Sequence, residues 1–170
     1  MKFLFNLILR FVDFFYKKRI NFFFKNNIGN NFKVLFDVGA HKGETIQEFL
    51  ESFKIENVYS FEASPSTFNE LQIRIKRIKN KFNQTNIETF NFGIGNTNKK
   101  NTFYELSDSN SSTFNIIDKN SSYYKKKNKI LSFFFLKNKS SIKKIEISQI
   151  KLSDFIREKK ITNIDILKID

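Results

Sequence analysis

The stretch from Asp37 to Thr45, with the letters DVGAHKGET, constrains the fold of this chain more than any other part of the sequence. The apolar run Val34 to Phe36 precedes it and is typical of a buried parallel strand. Apolar residues then recur at the spacing of one helical face, namely Ile46, Phe49, Leu50 and Phe53. The sequence therefore predicts a strand, a turn with two glycines and a helix in direct succession.

The alternation of strand and helix continues along the chain, which is typical of a parallel sheet covered by helices. Strands are predicted at 33–38, 57–62, 87–92 and 145–152, with a last, buried strand at 164–170. Residues 101–106 alternate like one arm of a hairpin, and helices are predicted at 64–82 and 153–160. Ser64 can cap the longer helix, and Pro65 suits its first turn. These patterns predict an α/β domain.

Composition excludes several kinds of site. The chain has 170 residues, enough for one domain, with no cysteine and one histidine, His41. Disulfides, thiolate catalysis and cysteine-ligated metals are therefore excluded, and we expect neither a metal site nor a Ser-His-Asp triad. The net charge of +13 suits nucleic acid or an anionic membrane, but a skewed codon composition explains it equally well. Without an arginine stripe or an aromatic RNA-binding signature, we do not expect a nucleic-acid partner.

The chain divides into an N-terminal segment, 1–32, and a domain, 33–170, with a long loop at 107–144 that we expect to be a lid, a binding loop or disordered. Residues 1–25 predict an amphipathic helix, because polar residues recur every three or four positions. These interruptions are too frequent for a spanning helix, and Arg10 breaks the apolar region of a signal peptide. Two alternatives stay open: an in-plane membrane helix or a helix docked on the domain. We expect a cytoplasmic protein, either free or peripheral at the inner face of the membrane.

Two carboxylates converge on the glycine turn. Asp37 ends the first predicted strand and Glu62 the second, and parallel strands place such ends along one ligand-binding edge. A carboxylate in the position of Glu62 can accept both hydroxyls of a ribose. Gly39 and Gly43 do not form the G-x-G-x-x-G pattern of dinucleotide sites, and no Lys-Ser/Thr pair of a P-loop follows. S-adenosylmethionine, an adenosine with a charged amino-acid end, fits this turn.

Five motifs, taken in order and spacing, resemble the FkbM-like family of S-adenosylmethionine-dependent methyltransferases. They are DVGAHKGET at 37–45, FEASP at 61–65, NFGIGN at 91–96, SNSST at 109–113 and IDILKID at 164–170. The resemblance runs from about Val34 to Asp170 and implies a Rossmann-like parallel sheet flanked by helices. The family continues after its KID motif with a Val-Glu-Gly turn and further elements. The resemblance therefore implies a domain that is incomplete at its C-terminal end and exposes an apolar sheet edge.

The resemblance also implies roles for single residues. The turn beneath the methionine part of the cofactor comprises Asp37, Gly39, His41, Gly43 and Glu44, although the family usually has Asn in place of His41. Glu62 would hold the ribose. Gly93, Ile94 and Gly95 would border the adenine. Asp170 would face the methyl group and the acceptor, and it is the candidate general base.

The implied reaction is attack of an acceptor oxygen on the sulfonium methyl of S-adenosylmethionine, which methylates a small molecule or a glycan. Alignment of the reacting atoms supplies much of such catalysis. Two alternatives remain at this point. One is a truncated, non-catalytic protein that binds the cofactor weakly or associates with a membrane. The other is a nucleic-acid methyltransferase or an RNA-binding protein, which the positive charge motivates.

Overall fold

The computed structural model describes residues 18–106, 112–116, 118, 120–122, 124–126, 129 and 142–170. Its strands are β1 (Asn31–Val38), β2 (Lys54–Phe61), β3 (Asn86–Phe90), β4 (Gly93–Gly95), β5 (Lys99–Leu106), β6 (Ile142–Lys151) and β7 (Ile166–Ile169). Its helices are α1 (18–27), α2 (Glu44–Ser52), α3 (Pro65–Lys81) and α4 (Leu152–Glu158). The predicted loop at 107–144 falls mostly outside the described residues.

The main sheet is parallel, with the strand order β3-β2-β1-β7. Together with the flanking helices it confirms the predicted α/β, Rossmann-like fold. The prediction of a buried last strand holds only in part, because Ile166 is buried while Leu167 and Ile169 are 46% and 65% exposed. Among the described residues β7 pairs only with β1, so it has a neighbour on one side.

A smaller sheet, with the order β4-β6-β5, follows the main one. β5 pairs antiparallel with β6, as the predicted hairpin arm requires, and β4 runs parallel to β6. Tyr104 on β5 also exchanges two backbone hydrogen bonds with Thr113, at 2.8 and 3.1 Å. These bonds place residues 112–116 alongside the smaller sheet.

Apolar side chains bury both faces of the main sheet. On one face, Leu35, Val58 and Ile87 pack under α2 and α3 through residues such as Ile46 and Leu71. On the other face, Phe155 of α4 is 3% exposed and its ring lies 4.9 Å from those of both Phe61 and Phe90. Burial of both faces explains the continuous apolar run from Val34 to Phe36 in the central strand β1.

Helix α1 is docked on the domain by one aromatic side chain and by a hydrogen bond from Asn21 to the hydroxyl of Ser52 at 2.7 Å. Phe24 packs against three other rings. Its ring centroid lies 6.2, 5.9 and 5.8 Å from the centroids of Phe32, Phe49 and Phe53. Residues 1–17 of the predicted amphipathic helix lie outside the described residues. Within the described part of the chain, no helix is long and apolar enough to cross a membrane.

We predict that Phe155→Ala lowers the free energy of unfolding by about 3–5 kcal/mol, because it removes a buried ring and leaves a cavity. Ile73→Ala is the control, since Ile73 is an aliphatic residue of α3 that is 58% exposed. Its effect should stay within about 0.5 kcal/mol. Urea unfolding monitored by circular dichroism measures both changes. Equal effects for the two variants would contradict the packing described for α4.

Candidate functional site

A cleft of about 690 Å³ lies at the carboxyl ends of β1, β2 and β7. β4 and residues 112–116 form its other wall. This volume falls in the range of small-molecule and cofactor sites, about 300–1,000 Å³. The position agrees with the rule that open parallel sheets bind ligands outside the carboxyl ends of their strands.

The turn after β1 brings backbone, rather than side chains, to the floor of the cleft. Gly39 has φ +79°, and a Cβ atom on it would lie 3.2 Å from the Cβ of Asp170. The N–H groups of Gly39 and Ala40 both donate to the carbonyl of Phe61, each at 2.9 Å. His41 also has a positive φ, +50°, which few side chains other than Gly, Asn, Asp and His adopt readily. The turn is therefore tight and tied to the end of β2.

The carboxylate of Glu62 is held by two backbone groups. Its Oε2 accepts the N–H of His41 and its Oε1 accepts the N–H of Ser64, both at 2.8 Å. Glu62 is 8% exposed, and burial raises its pKa against the lowering effect of these two bonds. Two carboxylate oxygens offer about four lone-pair sites, so each oxygen keeps acceptor capacity towards a ligand. Glu62 can therefore accept two neighbouring hydroxyls.

A buried ion pair joins β1 to β7. The Nζ of Lys168 lies 2.9 Å from Oδ1 of Asp37, which has no exposed surface, and donates to the carbonyl of Gly39 at 3.1 Å. The same Nζ lies 2.5 Å from Oδ2 of Asp170. Burial raises the pKa of Asp37 although Lys168 lowers it. Burial alone would lower the pKa of Lys168, but Asp37 and Asp170 together raise it.

Asp37 and Lys168 belong to a polar row that crosses the main sheet. In register, Thr89, Ser60, Asp37 and Lys168 occupy neighbouring strands. The row two residues earlier is entirely apolar, with Ile87, Val58, Leu35 and Ile166. The change from apolar to polar residues marks where the core ends and the ligand-binding edge begins.

Glu44 anchors the start of α2 beside the cleft. Its carboxylate lies 2.9 Å from Nη1 of Arg74 on α3 and 3.4 Å from Nδ1 of His41. Burial alone would raise the pKa of Glu44, but its own backbone N–H, Arg74 and His41 together lower it. Glu44 therefore stays ionised and fixes the turn against α3.

The other wall of the cleft is aromatic and packed around Gly93. A Cβ atom on Gly93 would overlap the ring of Phe114, so that ring occupies the space that the absence of a side chain leaves. The rings of Phe114 and Phe103 are in edge contact at 4.9 Å, and both line the cleft together with Phe92. This wall offers a flat apolar surface without long side chains.

A carboxylate on the smaller sheet holds this wall against the start of α3. Oε1 of Glu105 accepts the hydroxyls of Ser64 and Ser66, the latter at 2.7 Å. These two bonds lower the pKa of Glu105. Ser64 also caps α3 as predicted, because its Oγ accepts the N–H of Thr67 at 3.2 Å.

The structure brings most of the predicted site residues together. Those that line the cleft are Gly39, His41, Glu44, Glu62, Gly93, Ile94 and Asp170. Three others do not line it. Asp37 is buried beneath Lys168, a Cβ on Gly43 would lie 2.9 Å from Leu71 of α3, and Gly95 packs against Gln149. In this structure the absence of a side chain at Gly43 and Gly95 leaves room for Leu71 and Gln149.

Lys168 and the aromatic wall are the parts of the site that sequence reasoning missed. The signal for Lys168 was available, because alternation along β7 puts it on the same face as Ile166. A lysine at that inward position needs a buried acidic partner. Phe103 and Phe114 carried no such signal. Among the described residues, no group of three or more histidine, aspartate or glutamate side chains is placed to hold a metal ion.

Comparison with known proteins gives one family. The family model of the methyltransferase FkbM domain matches residues 37–170, which is most of the chain. The match begins at the buried aspartate of β1 and includes every cleft residue described above. No curated protein and no solved structure matches the chain.

We predict that Lys168→Met destabilises the protein by about 2–4 kcal/mol at neutral pH, because Asp37 is left as a buried, unpaired carboxylate. The deficit should shrink between about pH 8 and about pH 5, because protonation then removes the unpaired charge. Urea unfolding across this pH range measures it.

Lys159→Met is the matched control. Lys159 pairs with Glu88 at 2.6 Å, but the two side chains are 32% and 34% exposed. Its loss should cost less than about 1 kcal/mol. A deficit for Lys168→Met that is equally small, or that does not change with pH, would contradict the buried pair.

Proposed function

The chain belongs to the FkbM family of methyltransferases, and from this we propose that it uses S-adenosylmethionine to methylate a hydroxyl group of a small molecule or a glycan. When bound, this cofactor supplies an electrophilic methyl group on a sulfonium. The protein must then hold the adenosine, position the methyl group and admit the acceptor. The cleft contains residues suited to each task.

The observation that carries the proposal is the geometry of Glu62. Its carboxylate lies at the end of β2, beside the Gly39 turn, and two backbone N–H groups fix its orientation. Both oxygens keep acceptor capacity towards the cleft, which suits the two hydroxyls of a ribose. A nucleoside cofactor without a pyrophosphate fits a turn that lacks the dinucleotide glycine pattern.

The rest of the cleft supports the same cofactor. Gly93 and Ile94 line the wall where the resemblance expects adenine, and the nearby rings of Phe92 and Phe103 offer apolar surface to a flat base. Asp170 lines the opposite end, beside Gly39. We propose that it faces the methyl group and takes a proton from the acceptor hydroxyl, with alignment of the reacting groups as the main source of rate.

A hydroxyl-bearing acceptor suits the surface formed by residues 112–116. Ser112, Thr113 and Asn115 bring polar groups to the cleft, and Phe114 brings a ring. Sugars present both hydroxyls and apolar ring faces. The mixed lining therefore favours a glycan or a polyol over a wholly apolar acceptor.

We predict that the full chain binds S-adenosylhomocysteine and that Glu62→Gln weakens this binding about tenfold or more, because hydrogen bonds to a buried carboxylate are lost. Isothermal titration calorimetry measures the affinity. Glu56→Gln is the control, because Glu56 makes the same charge change at an exposed position on β2. Absence of binding by the unchanged protein would refute the proposed cofactor.

We also propose that α1 rests on an anionic membrane surface. Phe22 and Phe23 are 68% and 55% exposed, and the exposed cations Lys18, Arg19 and Lys25 surround them. Exposed rings among basic residues are typical of helices that lie in a membrane interface. Phe24 points the other way, into the domain. Such contact would place the enzyme at the inner face of the cell membrane.

Flotation with vesicles that contain phosphatidylglycerol tests this proposal. We expect the full chain to float and the double variant Phe22→Ser, Phe23→Ser to float several-fold less, because two inserted rings are lost. Ile73→Ser removes an exposed apolar residue from α3 and should float like the unchanged chain. Equal flotation of all three proteins would rule out a role of α1.

A further inference from the structure

Three oxygens of the protein surround the ammonium group of Lys168. An ammonium group carries three N–H donors. The three partners of its Nζ are Oδ1 of Asp37 at 2.9 Å, the carbonyl of Gly39 at 3.1 Å and Oδ2 of Asp170 at 2.5 Å. Although Lys168 lines the cleft, its role is therefore to hold other groups in place.

The three charged groups leave one negative charge in excess. Asp37 and Asp170 carry two negative charges and Lys168 carries one positive charge. Asp37 has no exposed surface, whereas the side chain of Asp170 is 67% exposed and lines the cleft. The excess charge is therefore presented to the cleft by Asp170.

Neighbouring groups do not cancel this charge. The cations at and beside the turn have acidic partners of their own, since Lys42 pairs with Glu70 at 2.8 Å and Arg74 pairs with Glu44 at 2.9 Å. Glu62 is held by backbone N–H groups and adds a further negative charge. His41 contacts Glu44 through Nδ1 at 3.4 Å. This end of the cleft is thus suited to a cation.

We propose that Asp170 binds the positive charge that the cofactor carries at its methyl-bearing centre, and that Lys168 is the positioning residue that aims Asp170 at it. This inference rests on the proposed function. S-adenosylmethionine carries a sulfonium charge that S-adenosylhomocysteine lacks. A carboxylate at this position therefore favours the substrate form of the cofactor over the product form.

Binding of the sulfonium charge by Asp170 differs from proton transfer. It changes the affinity for the cofactor at equilibrium, and it does so whether or not the methyl acceptor is present. It also does not accelerate methyl transfer by itself, since attraction to the sulfonium weakens as its charge disperses in the transition state. The benefit is selective binding between the two forms of the cofactor. S-adenosylmethionine is retained, and S-adenosylhomocysteine is released more readily.

Two ligands that cannot donate a methyl group allow the effect of this charge on binding to be measured. Sinefungin carries an amine in place of the methylated sulfonium, whereas S-adenosylhomocysteine is neutral there, and both contain the same adenosine and amino-acid end. We expect the full chain to prefer sinefungin by about fivefold, a modest factor because Asp170 is exposed and partly screened. Calorimetry should show that Asp170→Asn abolishes this preference while S-adenosylhomocysteine binding changes little.

Glu158→Gln is the matched control. Glu158 is an exposed acid of α4 that does not line the cleft, so its loss makes the same change in net charge and should leave the preference intact. Lys168→Met makes the cleft more negative, so an effect of total charge alone would keep or increase the preference. We expect the preference to fall instead, because Asp170 is no longer held, and a preference that persists would refute the positioning role of Lys168. Added sodium chloride should reduce the preference of the unchanged chain, which tests the charge effect without any substitution.

The outcomes separate the two proposals. If the unchanged chain binds neither ligand, the proposed cofactor itself is refuted. If it binds both with equal affinity, or if Asp170→Asn keeps the preference for sinefungin, the cofactor stands and the role of Asp170 is refuted. A preference that is lost in both cleft variants and kept in Glu158→Gln supports the inference.

Discussion

The ion pair between Asp37 and Lys168 is the interaction on which the cleft depends. Asp37 is fully buried at the end of β1, and a buried carboxylate is costly unless a cation and hydrogen bonds compensate it. Lys168 supplies the cation from β7, with its Nζ 2.9 Å from Oδ1 of Asp37, and at the same time contacts the Gly39 carbonyl and Asp170. One side chain thus fixes the relative positions of a strand end, a turn and a cleft carboxylate.

Backbone groups, rather than side-chain bulk, shape the remaining site. The N–H groups of Gly39 and Ala40 bind the end of β2, and those of His41 and Ser64 orient Glu62. Ser64 also caps α3 and donates to Glu105 of the smaller sheet. The start of α3 therefore connects both walls of the cleft. A methyltransferase needs such rigid alignment more than it needs reactive side chains.

Local features of the site could be predicted from the sequence because local residues determine them. The turn after β1 follows from two glycines between a strand pattern and a helix pattern, and the cap of α3 follows from Ser64 and Pro65. Glu62 was found because strand ends of a parallel sheet converge. The FkbM-like motifs then indicated the family, which the match over residues 37–170 confirms.

Features that depend on distant pairing could not be predicted in the same way. The partner of Lys168 is known only once β7 is placed beside β1 in the correct register. The contact of Phe114 with Gly93 depends on how residues 112–116 return to β5. The close approach of Leu71 to Gly43 and of Gln149 to Gly95 could not be predicted either, because a glycine next to a packed side chain and one next to a ligand look the same in sequence.

The cleft forms only when β7 pairs with β1, and this pairing joins two parts of the chain that are far apart in sequence. Lys168 and Gly39 are 129 positions apart, and β7 pairs with β1 only from Leu35 to Val38, whereas β2 pairs with it from Asn31 to Val38. Closing such a separation has an entropic cost that a short ladder offsets only weakly. A ligand that touches both the Gly39 turn and Asp170 would contact the ends of both β1 and β7 and so favour their pairing. Its binding and the docking of β7 are then a single equilibrium, so the measured affinity of the site includes the free energy of completing the sheet.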